Sequence, residues 1–234
     1  MPFQNSFNIQ PGVGVAGDFA SANPRSSILS GAGKFVAGAE GLTVGLFCWH
    51  DASDDTKLNN YGAGIPAGFL HREQNALITN FLAESGGLIQ PGVEVNAFNS
   101  GDFWVKNDGS TAVTRGMKAY VNHATGKVSF AASGSPPTGA SFTGVVAAGV
   151  LTATSVTGTI AAGQIISGTG VTAGAYIGEQ LSGTAGGAGT YSVIGDDTVA
   201  STTITSVGGT ETKWIAQSAG AAGELIKMSS TPEG

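Results

Sequence analysis

The chain has 234 residues, a formal charge of −6 and a single cysteine, and only 11% of its residues are charged against 41% hydrophobic. Lys and Arg never cluster, which excludes a nucleic-acid surface, and no stretch approaches the roughly 18 apolar residues that a membrane helix needs. The hydrophobic share excludes a disordered chain, and the lone Cys48 excludes an internal disulfide and fits a protein made in the cytoplasm.

Residues 1–30 carry Pro2, Pro11 and Pro24 among scattered aromatics with no period, and read as an extended N-terminal arm. The opening "MPFQNSFNIQPGVG" lacks a basic region followed by an apolar one, so no secretory leader is expected. From residue 31 to 138 short β-runs alternate with turn signals, which predicts a main β domain. Its clearest strands are Leu42–Trp49, Val93–Phe98, Asp102–Val105, Lys118–His123 and Lys127–Ala132. Residues 73–84, "EQNALITNFLAE", fit a helical stripe or one strand face, and strand is the reading taken.

At "GSPPTGAS" the composition breaks. Residues 139–208 hold only Glu179, Asp196 and Asp197 as charges and are built of Thr, Val, Ile, Gly and Ala. The pieces "VLTATSV", "QIIS", "AYIGE", "TYSVI" and "TTITS" have strand length and β-branched character, so an inserted small all-β domain is predicted. Within it, "SGTAGGAGTYSVIG" reads as a hairpin with a glycine tip and a returning strand. Charge returns in residues 209–234, predicted to supply a C-terminal strand that completes the main domain. The fold class is all-β, with a main barrel or sandwich, because no long amphipathic helix is evident.

Chemistry is sparse. Cys48 and His50 in "CWHD" share a strand face, but nothing nearby lowers a thiol pKa, so Cys48 reads as core filling. His71 and Glu73 in "HRE" sit on or beside one strand with their neighbour pointing the other way, which suits a hydrogen-bonding or subunit-contact role. The acidic run Asp51–Asp55 lacks the twelve-residue calcium pattern and reads as a solvated loop. "GTGVTAGAYIG" lacks the Lys-Ser/Thr ending of a phosphate loop. No catalytic, cofactor or metal residue is assigned, and the chain is read as a non-enzyme.

Four stretches carry a resemblance: "MPFQNS…GDFASANPRSS", "GLTVGLFCWHDA", "GFLHREQNALITNFLAESG" leading into "GDFWVKN", and "AGELIKMSS". Together they resemble the structural cement, or head decoration, proteins of tailed bacteriophages. Residues 141–206 are similar instead to a small β-module that recurs in phage virion proteins. The resemblance implies a capsid cement made in the host cytoplasm and placed on the outer surface of the virion. Its partners would be the major capsid protein and itself, as a trimer with a dimer as the alternative. It implies that the arm makes the inter-subunit or capsid contact, with Phe3, Phe7, Ile9, Phe19 and Arg25 as contact residues. The alternative reading is a virion-surface adhesin or carbohydrate-binding module that takes host-surface glycan on Tyr176, Tyr191 and Trp214.

Overall fold

A computed structural model of the chain describes residues 14–31, 33–72, 87–196 and 198–231. The expected strand over 73–84 lies outside the described residues, as do Phe3, Phe7 and Ile9. The protein is all-β: the described residues form nineteen strands and no helix.

The first eleven strands are β1 (Ser26–Ser27), β2 (Val36–Ala37), β3 (Leu42–Thr43), β4 (Phe47–His50), β5 (Lys57–Asn59), β6 (Gly68–Leu70), β7 (Leu88–Ile89), β8 (Ala97–Ser100), β9 (Asp102–Lys106), β10 (Lys118–Val121) and β11 (Val128–Ala131). Then follow β12 (Thr138–Ala147), β13 (Val150–Thr157), β14 (Ile165–Gly168), β15 (Tyr176–Gly183), β16 (Gly189–Ile194) and β17 (Thr198–Val207). The chain closes with β18 (Thr210–Ala216) and β19 (Leu225–Ser229).

A six-stranded sheet, in the order β1-β8-β6-β4-β5-β2, faces a five-stranded sheet in the order β11-β10-β18-β19-β9. Between them lies a core of Phe47, Phe69, Phe103, Val121, Trp214 and Ile226. The opposite face of the six-stranded sheet is also buried, against Leu42, Leu58 and Ile89, with β3 and β7 forming a small cover. In β4, Phe47 and Trp49 enter the first core and Cys48 the second. That double burial explains why "LFCW" is an unbroken apolar run rather than an alternating one.

The stretch expected as one strand over Leu42–Trp49 is two. At Gly45 φ is +77°, and a Cβ there would lie 2.8 Å from Ala16, so the backbone turns where only glycine fits. Residues 42–43 therefore pair with β7 and residues 47–50 with β5 and β6. Likewise only the end of Val93–Phe98 belongs to β8; its beginning bonds to the Phe35–Ala37 stretch instead.

Strands β12 to β17 close into a six-stranded barrel in the order β12-β13-β16-β15-β14-β17, leaving no free edge. Along β12, Ala140, Phe142, Gly144 and Val146 point inward and Ser141, Thr143, Val145 and Ala147 outward. Gly144 makes room in the interior, since a Cβ there would lie 2.7 Å from Ile204 and 2.8 Å from Leu151. The glycine-rich stretch is a hairpin: β15 and β16 pair up to Gly183 and Gly189, with Tyr191 buried on the returning strand. The two ends of the barrel's chain meet, Thr138 pairing with Val207 and the Gly208 amide donating to Pro137 at 2.8 Å. After the barrel the chain re-enters the five-stranded sheet, with β18 beside β10 and β19 beside β9.

Candidate interaction surface

The described part of the N-terminal stretch is packed on its own body. The Gly17 amide donates to the Trp104 carbonyl at 2.8 Å, the Trp104 amide to Asp18 at 2.9 Å and the Ala20 amide to Asp102 at 2.9 Å. Residues 17–20 thus continue the five-stranded sheet beyond β9, and β1 then extends the six-stranded sheet beside β8. Both sheet edges on this flank are covered by one segment.

Phe19 is the pin. The imidazole of His71 stacks on its ring at a centroid distance of 3.7 Å, and the Arg25 guanidinium lies 3.7 Å from the same centroid. Two groups that close to one ring must take opposite faces, so Phe19 is sandwiched. Phe98 meets it edge-on at 5.5 Å and Phe103 lies at 5.2 Å. His71 is itself fixed by a 2.7 Å hydrogen bond between Nδ1 and the Gly17 carbonyl, and Arg72 pairs with Asp18 at 3.7 Å. The Ser21 hydroxyl and the Asn23 amide both donate to Asp102 at 2.6 Å. Of the expected contact residues, the structure therefore brings Phe19 and Arg25 together, on each other and on the chain's own core.

The tripeptide Gly17-Asp18-Phe19 recurs in the sequence as Gly101-Asp102-Phe103, a signal that periodicity does not capture. The two copies lie antiparallel with Phe19 bridged to Phe103, so the repeated tripeptide marked the docking. The role of Trp104, against which a Cβ on Gly14 would collide, had no comparable signal.

The residues with chemically versatile side chains are engaged in structural roles. Cys48 is fully buried, its Sγ donates to the Gly68 carbonyl at 3.4 Å, and burial pushes its thiol pKa up to about 12. His50 points outward and touches the Asp55 carbonyl. Asp51 accepts from the Ser53 hydroxyl at 2.7 Å, the Ser53 amide at 2.9 Å and Asn59 at 2.9 Å. Those hydrogen bonds pull its pKa down to about 2. Asp54 is held below the usual range by Thr56 and Lys57 in the same way. Among the described residues no three His, Cys, Asp or Glu converge as metal ligands. Tyr191 lies in the barrel core and Trp214 in the body core, while Tyr176 is half-buried with His123 against it at 4.9 Å. The three aromatics do not share a surface.

The barrel's exterior is hydroxyl-lined and carries no cation: Thr154, Thr143 and Thr203 sit in register across β13, β12 and β17, all exposed, and Glu179 is exposed on β15. The barrel meets the body through Asn122, which donates to the Ala162 carbonyl at 2.9 Å, and through His123.

The sequence model of the XM1 gp53 minor capsid protein family matches residues 3–174, well over half of the chain. The match runs through the body and into the barrel as far as β14. No curated protein matches the chain significantly.

Proposed function

The chain belongs to the XM1 gp53 minor capsid protein family, a phage structural family, and from that premise we propose that it is a head decoration, or cement, protein. In this reading it binds the outer surface of the head at junctions between major capsid subunits and stabilises the expanded shell without catalysis. A ligand that binds only the expanded lattice stabilises it by mass action, by about 2.7 kcal/mol per site when its free concentration is a hundred times Kd.

The observation that carries the reading is the pinned N-terminal stretch. A folded body with residues 17–27 fastened along two of its own sheet edges is a closed, rigid unit, which suits a lattice of identical neighbours. The hydroxyl-lined barrel supports the same reading, because a surface with few charges and no cation is solvated without attracting polyanionic partners. The barrel is taken as an inserted domain that projects outward, with residues 31–138 and 209–234 forming the main domain that sits on the shell.

Heads lacking this protein, in precursor and expanded form, provide the test. Purified protein should co-sediment saturably with expanded heads and raise their thermal disruption temperature, and should pass precursor heads by. Equal binding to both forms, or to neither, contradicts the reading.

A further inference from the structure

The barrel touches the body through a narrow joint. Away from the two connecting segments, the turn between β10 and β11 meets the turn before β14 and the start of β15. The Asn122 side-chain amide donates to the Ala162 carbonyl at 2.9 Å. Gly163, at φ +79°, comes so near that a Cβ there would lie 2.7 Å from the Ala124 nitrogen. Beside this contact a cavity of about 200 Å³ opens between Asn122, Thr125 and Lys127 on the body's turn and Pro137 and Gly208, which flank the barrel. On that side the barrel has room to move.

His123 lies in the joint and is 1% exposed. Its Nε2 is 2.6 Å from the Thr210 hydroxyl, and its buried Nδ1 has no hydrogen-bond partner among the described residues. Trp49 of β4 meets the imidazole edge-on at 5.9 Å and Tyr176 of β15 at 4.9 Å. From the barrel, Tyr176 is the titratable group that faces it, and a phenol stays neutral near pH 6. From β18, Glu211 stands next to Thr210, but its carboxylate accepts from Tyr120, Ser133 and Gly134. Asp108 and Lys127 line the neighbouring cavity. None of these charges acts on the ring; burial alone lowers its pKa.

A proton on Nδ1 puts a charge and an unpaired N–H into a dry site, so one wall must open to admit water. The walls differ in strength. On the body side, His123 follows β10, whose Val121 pairs with Thr210 of β18 and Val128 of β11. The His123 carbonyl also accepts from the Gly62 amide at 2.9 Å. The barrel side is held by the Tyr176 ring, the close approach of Gly163 and the Asn122 hydrogen bond. The barrel is the wall that yields.

We propose that His123 is an acid-released latch: as it takes up a proton, Tyr176 and the Ala162–Gly163 turn draw away, and the barrel swings on its two connecting segments while body and barrel each stay folded. The released state binds the proton with ordinary histidine affinity and the latched state more weakly, so release sets in as the pH falls below about 6.5. The latch is a property of the single chain and does not rest on the decoration reading.

Spin labels on Leu29→Cys in the body and Thr152→Cys in the barrel, both exposed sites, test it in the full chain; the native Cys48 is too buried to take a label. Pulsed electron paramagnetic resonance should give one narrow distance distribution at about pH 7.5, widening roughly twofold or more at about pH 5 and narrowing again on return. The same distribution at both values overturns the proposal. Far-UV circular dichroism should not change between them; a loss of strand signal along with the widening means that the chain unfolds rather than unlatches, and overturns it too. His123→Gln, which takes up no proton, should keep the narrow distribution at both values, and widening in that variant contradicts the assignment to His123. Tyr176→Ala keeps the test decisive should the Gln variant not fold. It removes the barrel's wall and admits water to the ring, so its distribution should already be wide at about pH 7.5 and stay so at about pH 5. A narrow distribution in the Ala variant at the higher value overturns the latch.

Discussion

At the residue scale, two side chains have consequences that can be measured. His123 is buried at the meeting of body and barrel, with Nε2 at 2.6 Å from the Thr210 hydroxyl and Nδ1 without a partner. Burial lowers its pKa, so the folded state resists a proton that the unfolded chain accepts near pH 6.5. The unfolded state then binds more protons below that pH, and stability falls as the pH drops. Stability measured by urea unfolding should be flat above about pH 7 and decline from about 6.5 to 5, before carboxylates titrate. A His123→Gln variant should lose the slope in that window; an unchanged slope contradicts the assignment. Phe19 is the other. Its ring is half-buried, so Phe19→Ala should cost about 2 kcal/mol, at or below the low end for a fully buried phenylalanine. Arg25→Ala should cost no more than about 1 kcal/mol, because its side chain is exposed. Equal losses from the two would mean that the ring is not the pin.

At the scale of elements, what the sequence revealed depended on how each strand is buried. The barrel strands β13 to β17 were legible because one face is wet and the other dry, which writes an alternating or β-branched pattern into the chain. β12 was missed: it begins among "PPTG" and carries Gly139 and Gly144, residues that signal turns locally but here serve close packing in the barrel. The short strands β1, β2, β5, β6 and β7 were not found, for two or three residues cannot display a period. The sequence presents Phe19 as an aromatic in a stretch without period, and nothing in it signals that His71, 52 residues later, stacks on the ring; only tertiary structure brings them together.

The barrel's geometry yields a prediction of its own. Because Thr138 and Val207 are paired neighbours, a short turn can join residues 140 and 207 without moving the body. Excising 141–206 should leave a soluble protein with a cooperative melt, and it should erase the acid-side decline described above, since His123 would lose Tyr176 and become hydrated. An insoluble product would show that the barrel is structurally inseparable from the body.

For the whole molecule, the composition and the structure bear on the same question. A chain with ten cations commits Lys34, Lys57, Arg72 and Lys106 to ion pairs of 3.0, 2.9, 3.7 and 3.3 Å. These pairs are exposed and each contributes at most about 1 kcal/mol, so their main effect is to neutralise the surface. What remains is a body with few net charges, an exposed Ile65 and Leu29, and a hydroxyl-lined barrel. Such a surface favours contact with many uncharged neighbours over capture of an ionic ligand, which agrees with membership of a minor capsid family.

Electron cryomicroscopy of intact virions tests the central claim most directly. A head decoration protein gives density with the two-part outline of body and barrel outside the shell, at junctions between major capsid subunits, and that density is lost from heads made without this chain. Density for the chain inside the shell, or confined to the tail, would contradict it.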